Sequence, residues 1–298
     1  MMRIRIESMG MSYPRKRFWE KGSLAHAVHA GSRCLKNSHY NPMDVEVLIN
    51  SGIYRDEHYA EPAFSTFIQK KLGINSDFQG RRTLSFDLQN GASGMLNGIH
   101  ILSNLISTGR INTGMVISSE ANTDKKPDPN YHYANSGAAL ILDLSPISQI
   151  GFGNFVFKSF DKYIHLYSSF VNLTQKYGRL FIKKKNELED AYLECVQSVI
   201  KELLDLENLT AKDIDFIIPS QISDYFLKKL PENINFNAEK IINLTHKYSD
   251  TLTTSIFLSL RHLMEKKIIK PGQTAIFLTV GAGITVGASV YHFWYTYI

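Results

Sequence analysis

The chain has 298 residues, 44% of them hydrophobic and 20% charged, with a formal net charge of +5. That composition excludes a disordered or fibrous chain and allows one large domain or two halves of about 150 residues each. The mildly basic balance bears on acidic partners and does not call for nucleic acid. Cys34 and Cys195 lie far apart with no metal-type spacing. No disulfide framework is expected, and a reducing, cytoplasmic compartment fits.

In chain order, Met1 to Ile6 alternates like a strand and has no signal-peptide core. Ser23 to Lys36 has a helical pattern. His26 and His29 lie one turn apart on it, but no third ligand suggests itself, so hydrogen-bonded or exposed histidines are expected and no metal. "YNPMDVEVLINSGI" (40–53) is a loop, an Asp and an alternating apolar run that ends at Ser51. Leu84 to Leu88 reads as a strand and 95–108 as a helix, joined by Gly91-Ala92-Ser93-Gly94. Such a turn lets the backbone bend sharply and often displays a reactive side chain over the positive end of a helix. Its centre here is Ala92-Ser93. Ser93 is expected to cap the first helical turn, the alternative being a substitute nucleophile.

Strand patterns follow at 111–120 and 136–144, then an aromatic-rich, irregular stretch at 145–180. "FIKKKNELED" (181–190) opens a helix with its charges on a solvated face, and Glu187 to Leu204 has a helical pattern. Cys34 and Cys195 each lie on an amphipathic helix and are expected to be structural thiols. Gln273 to Trp294 carries no Asp, Glu, Lys or Arg. A membrane span is rejected because Gly281, Gly283 and Gly287 divide the stretch and β-branched residues dominate each piece; two buried strands joined by a glycine turn are expected. A nucleotide loop at Gly281-x-Gly283 would need a following helix, and Ile284-Thr285-Val286 reads as a strand.

"LTAKDIDFIIPSQI" (209–222) repeats the 40–53 pattern, with Asp213 and Ser220 in the places of Asp44 and Ser51. Helix 95–108 and its two strands parallel helix 252–267 and the strands at 272–283 and 284–293. Two β-α-β-α-β-β copies, 1–145 and 146–298, account for one compact α/β unit, with 145–180 as an insertion between them.

These features resemble the thiolase fold, a duplicated, layered α-β-α-β-α sandwich, and within it β-ketoacyl-acyl-carrier-protein synthase III. Phe86-Asp87-Leu88-Gln89-Asn90-Gly91-Ala92-Ser93-Gly94 is similar to the family's nucleophile motif. Pro219-Ser220-Gln221 is similar to its Pro-His-Gln motif, Asp250-Thr251 to its Gly-Asn-Thr motif, and Gly281-Ala282-Gly283 to its closing glycines. The resemblance puts the family's nucleophilic Cys at Ala92, its His at Ser220 and its Asn at Asp250. Acyl transfer needs the thiolate, and decarboxylative condensation needs the two donors for an enolate. Ala92 has no nucleophile, Ser220 is no imidazole, and an ionised Asp250 has the wrong sign for a developing anion.

The resemblance further implies that Glu61, in "RDEHYAEPA", reaches across a dimer as a base in the branch that joins two acyl chains. The plainer reading is that Glu61-Pro62 opens a helix. Arg15, Arg17 and Trp19 read either as a site for coenzyme A or an acyl carrier protein, or as a solvated turn. In thiolase-fold dimers the strand after the nucleophile helix, here within Asn112–Glu120, is expected to be an open edge that a second subunit covers. Three functions stand open: a non-catalytic or co-catalytic subunit paired as a heterodimer with an active homologue, an acyltransferase or hydrolase with a rebuilt site, and a stand-alone acyl-thioester binder. No cofactor is implied beyond a coenzyme A or carrier-protein thioester as ligand, and either a homodimer or a heterodimer is compatible.

Overall fold

The computed structural model describes residues 2–13, 22–75, 82–172, 174 and 178–293. Arg15, Arg17 and Trp19 lie outside the described residues. The first sheet has five strands, in the order β1 (Ile4–Ser12), β5 (Ser136–Leu144), β4 (Gly114–Glu120), β2 (Val47–Asn50) and β3 (Leu84–Asp87). The second has four, in the order β6 (Gly151–Ser159), β11 (Thr285–His292), β10 (Thr274–Gly281) and β9 (Phe216–Pro219). The two orders correspond strand for strand. In the second half the counterpart of β3 is reduced to one parallel bridge, Ile217 to Ile241.

Helices form three layers around these sheets. Helices α3 (Gly94–Ser107) and α6 (Ser255–Glu265) lie between them, and Leu96, Ile99, Leu102, Phe257 and Leu260 share one core with β1, β5 and β10. Helices α1 (Ser23–Asn37) and α2 (Phe64–Leu72) cover the outer face of the first sheet. Helices α4 (Leu188–Glu207) and α5 (Asp224–Ile234) cover that of the second. The period of two explains the sandwich: on β10, Ala275 and Phe277 face the central helices while Ile276 and Leu278 face α4 and α5. Strands covered on both faces read as continuous apolar runs, which is why 273–292 mimics a membrane span. No described helix is long and apolar enough to cross a membrane.

Four readings of the sequence are corrected. The 145–180 stretch is not irregular: its first part is β6, which pairs antiparallel with β11. Its second part is β7 (Tyr167–Asn172), which forms a hairpin with β8 (Arg179–Lys184). Bulky aromatics on both faces of these strands hide the alternation. The strand within Asn112–Glu120 is no edge, because β4 is flanked by β2 and β5; the exposed edge is β3, where Leu84 is 59% exposed. The last long helix begins three residues later than expected, since Leu252–Thr254 is a short 3-10 turn with Leu252 at φ 51°.

Finally, Glu61 does not cap the helix after it. Helix α2 starts at Phe64, and the acid at its N-terminus is Asp87, whose carboxylate accepts from Phe64 N (2.7 Å) and Ser65 N (2.9 Å). Asp87 also pairs with the buried Arg55 guanidinium at 2.9 Å and accepts from Asn50 Nδ2 at 3.0 Å. Removing this carboxylate strands a buried cation and uncaps a helix. Asp87→Ala should lower the unfolding free energy by about 3 kcal/mol in urea titration.

Candidate functional site

The turn after β3 meets a turn from the other half. Gly91 adopts φ 53°, and a Cβ on it would stand 3.4 Å from Gly281 Cα; a Cβ on Gly281 would stand 3.2 Å from Ala92 N. Gly91 is favoured by its positive φ, and Gly281 by the tight approach of the Ala92 backbone. Ser93 is fully buried, and its Oγ accepts from Thr279 Oγ1 at 3.0 Å rather than capping α3. The reason is the same approach: β10 comes so close to the turn that Thr279 takes up the hydroxyl. Ser93 points to β10 and is no part of the cavity wall described next.

Ala92, Ser220 and Asp250, drawn from three distant stretches, line one cavity of about 400 Å³. Ala92 is 4% exposed. Ser220 continues the β9–β10 ladder through its N–H to Leu278 O, and its Oγ accepts from Val280 N at 3.2 Å. Asp250 is half-buried; Oδ1 accepts from Leu252 N at 2.7 Å, and the Asp250 carbonyl accepts from Ala134 N at 2.8 Å. Burial pushes the Asp250 carboxyl up to about 7, against the opposing pull of the Leu252 N–H and Lys184, while Glu189 adds to the rise.

Much of the remaining wall was not singled out from sequence. The Tyr167 hydroxyl bonds the Tyr54 hydroxyl at 2.7 Å and the Tyr133 hydroxyl at 3.1 Å, and the rings of Tyr54 and Tyr133 stack with centroids 5.4 Å apart. Tyr192, Lys184 and the exposed His132 also line the cavity. These residues come from a loop, the β7–β8 hairpin and α4, so no local pattern connects them. Behind the wall sits Glu120, fully buried on β4. Its carboxylate accepts from Ile53 N (3.2 Å), Tyr54 N (2.9 Å) and Thr253 Oγ1 (2.6 Å). Burial pushes it up to about 7 as well, with these donors working the other way and Asp250 adding to the rise.

A second cavity, of about 660 Å³, adjoins the first across Ile53, Tyr54, Gln89 and Ser169. Glu61 lies on its exposed rim with Tyr59 and His58, above Arg55 and Asp87. Within one chain, Glu61 therefore belongs to a different cavity from Ala92. Neither thiol is near: Cys34 is buried against Ser8, its pKa pushed up to about 12, and Cys195 is buried on α4, pushed up to about 11, both mainly by desolvation. His26 is buried with Nδ1 2.8 Å from Ser12 Oγ. No group of metal-ligating side chains large enough to hold an ion occurs among the described residues.

A search of known proteins agrees with this architecture. Residues 204–293 match the model of the 3-oxoacyl-[acyl-carrier-protein] synthase III C-terminal family. The chain is 26% identical over 269 residues to β-ketoacyl-[acyl-carrier-protein] synthase III of Rickettsia bellii, covering 89% of this chain and 82% of that protein. It is 24% identical over 272 residues to the same-named protein of Wolbachia pipientis, covering 90% and 83%. The solved 3-oxoacyl-(acyl carrier protein) synthase III of Pseudomonas aeruginosa superposes with a TM-score of 0.84 at 18% identity, covering 99% of each chain. A Xanthomonas campestris OleA structure with bound lauric acid and lauroyl-CoA gives 0.81 at 16%, covering 97% of this chain and 99% of that one. The chain has the thiolase fold, and residues 204–293 match the C-terminal model of the synthase III family.

Glu120 and Asp250 hold protons in the folded state that free carboxylates release near pH 4, so the folded state binds more protons than the unfolded one up to about pH 7. Stability from these groups therefore falls as pH rises from about 4 to about 7. In thermal melts at a series of pH values, Glu120→Gln should show a shallower fall over that window than the wild type.

Proposed function

We propose that this chain is a non-catalytic or co-catalytic subunit of a synthase III-like condensing complex in fatty-acid-derived or secondary-metabolite biosynthesis, paired with a homologue that has Cys, His and Asn at the three positions. One observation carries this reading: Ala92, Ser220 and Asp250 share a cavity whose walls contain no thiol. Both cysteines are buried elsewhere with raised pKa values, so neither supplies the thiolate that accepts an acyl group. His132 on the rim bonds none of the serines in the wall, so no Ser–His pair replaces the missing thiol.

The preserved scaffold is the other half of the reading. The sandwich is intact, and β3 is the last strand of the first sheet with no further partner among the described residues, next to the cavity that Glu61 borders. An unpaired strand edge is a ready surface for a second subunit. Acyl thioesters, free or on coenzyme A or a carrier protein, are the ligands this reading implies, in line with the lauroyl-CoA bound by the OleA relative.

The purified chain incubated with acyl-CoAs should gain no stable acyl mass in intact-protein spectrometry; an adduct on Ser93 or any other cavity residue would sink the reading. Ala92→Cys should become alkylated by iodoacetamide at least about tenfold faster than Cys34 or Cys195, since only the new thiol lines a cavity. That variant should still form no β-keto product, because Ser220 and Asp250 are unchanged. In the co-expressed complex with an active homologue, Glu61→Ala should reduce product formation at least about tenfold, the usual scale for a general base, with the complex mass unchanged in size exclusion. Unchanged turnover by an intact complex removes the cross-subunit role of Glu61, and failure to co-purify with any such homologue removes the partner.

A further inference from the structure

We propose that His58 and Asp124 are positioning residues for Glu61: their pairing pins the rim segment 55–61 in a strained backbone conformation that holds Glu61 at the edge of the second cavity. This rests on the reading that Glu61 acts across a subunit boundary.

The segment has a conformation that its residues do not favour. Glu57 stands at φ 50° and His58 at φ 55°, two successive left-handed residues, neither of them glycine. In that region Cβ crowds the following carbonyl oxygen, so the conformation persists only where the surroundings impose it. The base of the segment is fixed by Arg55, buried and 2.9 Å from Asp87, and Tyr59 packs edge-on to Phe67 with centroids 5.5 Å apart. Between these two anchors, the loop after β4 supplies a clamp. His58 Nε2 donates to Asp124 Oδ1 at 2.8 Å, and Glu57 N donates to Thr123 Oγ1 at 3.2 Å. The His58 and Asp124 side chains are only 19% and 11% exposed, so solvent screens their contact little.

Asp124 also reaches a third segment. Its Oδ2 accepts from Leu180 N at 3.1 Å, near the start of β8, and its own N–H donates to Asn122 Oδ1 at 2.8 Å. One carboxylate thereby joins the rim segment to the β7–β8 hairpin, and His58 and Leu180 both line the second cavity. Glu61 follows His58 by three residues, and its own side chain is exposed. Its place is therefore set through the backbone that His58 anchors. A general base has to stay within hydrogen-bond reach of the proton it takes, and a misplacement of about 1 Å is costly. Without the clamp, Glu57 and His58 are free to return to the right-handed region, and Glu61 moves with them.

Amide hydrogen exchange on the full chain reads the clamp directly. Asp124→Asn keeps the size of the side chain and removes its charge. Exchange at Glu57, His58, Tyr59 and Leu180 should quicken at least about tenfold, the scale of one charge-assisted hydrogen bond, while the amides of β10 keep the wild-type rate. His58→Ala should quicken the rim amides and spare Leu180. Glu57→Gly, which takes the left-handed conformation without the Cβ penalty, should slow the rim amides of Asp124→Asn again by about threefold. In the co-expressed complex with an active homologue, Asp124→Asn should lower product formation about tenfold, as Glu61→Ala does. The double variant should fall no further than Glu61→Ala alone, because both act through one carboxylate. Unchanged rim exchange in Asp124→Asn, or exchange that quickens equally in β10, overturns the clamp. Quickened rim exchange with wild-type turnover in Asp124→Asn, or a double variant whose losses multiply, overturns the positioning of Glu61. Wild-type turnover in Glu61→Ala overturns the cross-subunit reading and the positioning role together, and the exchange rates distinguish that result from a failed clamp.

Discussion

The carboxylate of Glu120 connects the two halves of this protein at the place where the cavity forms. It accepts hydrogen bonds from the Ile53 and Tyr54 amides of the first half and from Thr253 of the second. Ile53 and Tyr54 are shared walls of both cavities, and Thr253 belongs to the short turn that follows Asp250. Placing a carboxylate where no water reaches it is unfavourable by several kcal/mol unless hydrogen bonds satisfy it. Three donors do so here, two from the Ile53–Tyr54 segment and one from the turn at Thr253, so β4 and these two segments are held in one arrangement. Thr253 also bonds Ser118, and Ser136 bonds Thr254 at 2.8 Å, so the polar seam continues along β4 and β5.

Around that seam the architecture is governed by apolar burial. Two helices between two sheets have almost no solvated face, and α3 correspondingly carries a run of Leu and Ile with glycine where it meets β4: a Cβ on Gly98 would stand 3.1 Å from Val116 Cγ1. Each buried Leu or Ile contributes about 2 kcal/mol against the entropy of ordering the chain. Such a core does not depend on which small side chain stands at 92, because it is the backbone there that packs against Gly281.

The cavity is unusual in its wall of phenols. Tyr54, Tyr133 and Tyr167 bond one another through their hydroxyls. Tyr131 stands edge-on to the rings of Tyr54 and Tyr133, and its buried hydroxyl has no partner among the described residues. The cavity wall carries phenols, hydroxyls and a buried carboxyl, and it holds no thiol.

From the sequence by itself, the duplication, the layered class, most helices and strands, and the turn at Gly91–Gly94 could be read, because each rests on short-range periodicity or on glycine. The positions Ala92, Ser220 and Asp250 were legible through the resemblance of their surroundings to the family's motifs. Only the tertiary structure decided which sheet edge is free, because β4 becomes internal through a parallel partner, β2, more than 60 residues away in the chain. It alone turned Ser93 toward Thr279, put Asp87 rather than Glu61 at the start of α2, and gathered four tyrosines around Asp250. Those outcomes depend on which distant backbone or ring occupies the neighbouring space and on how far burial shifts a carboxyl. A linear pattern of residues does not encode either until the sheets and helices have closed upon one another.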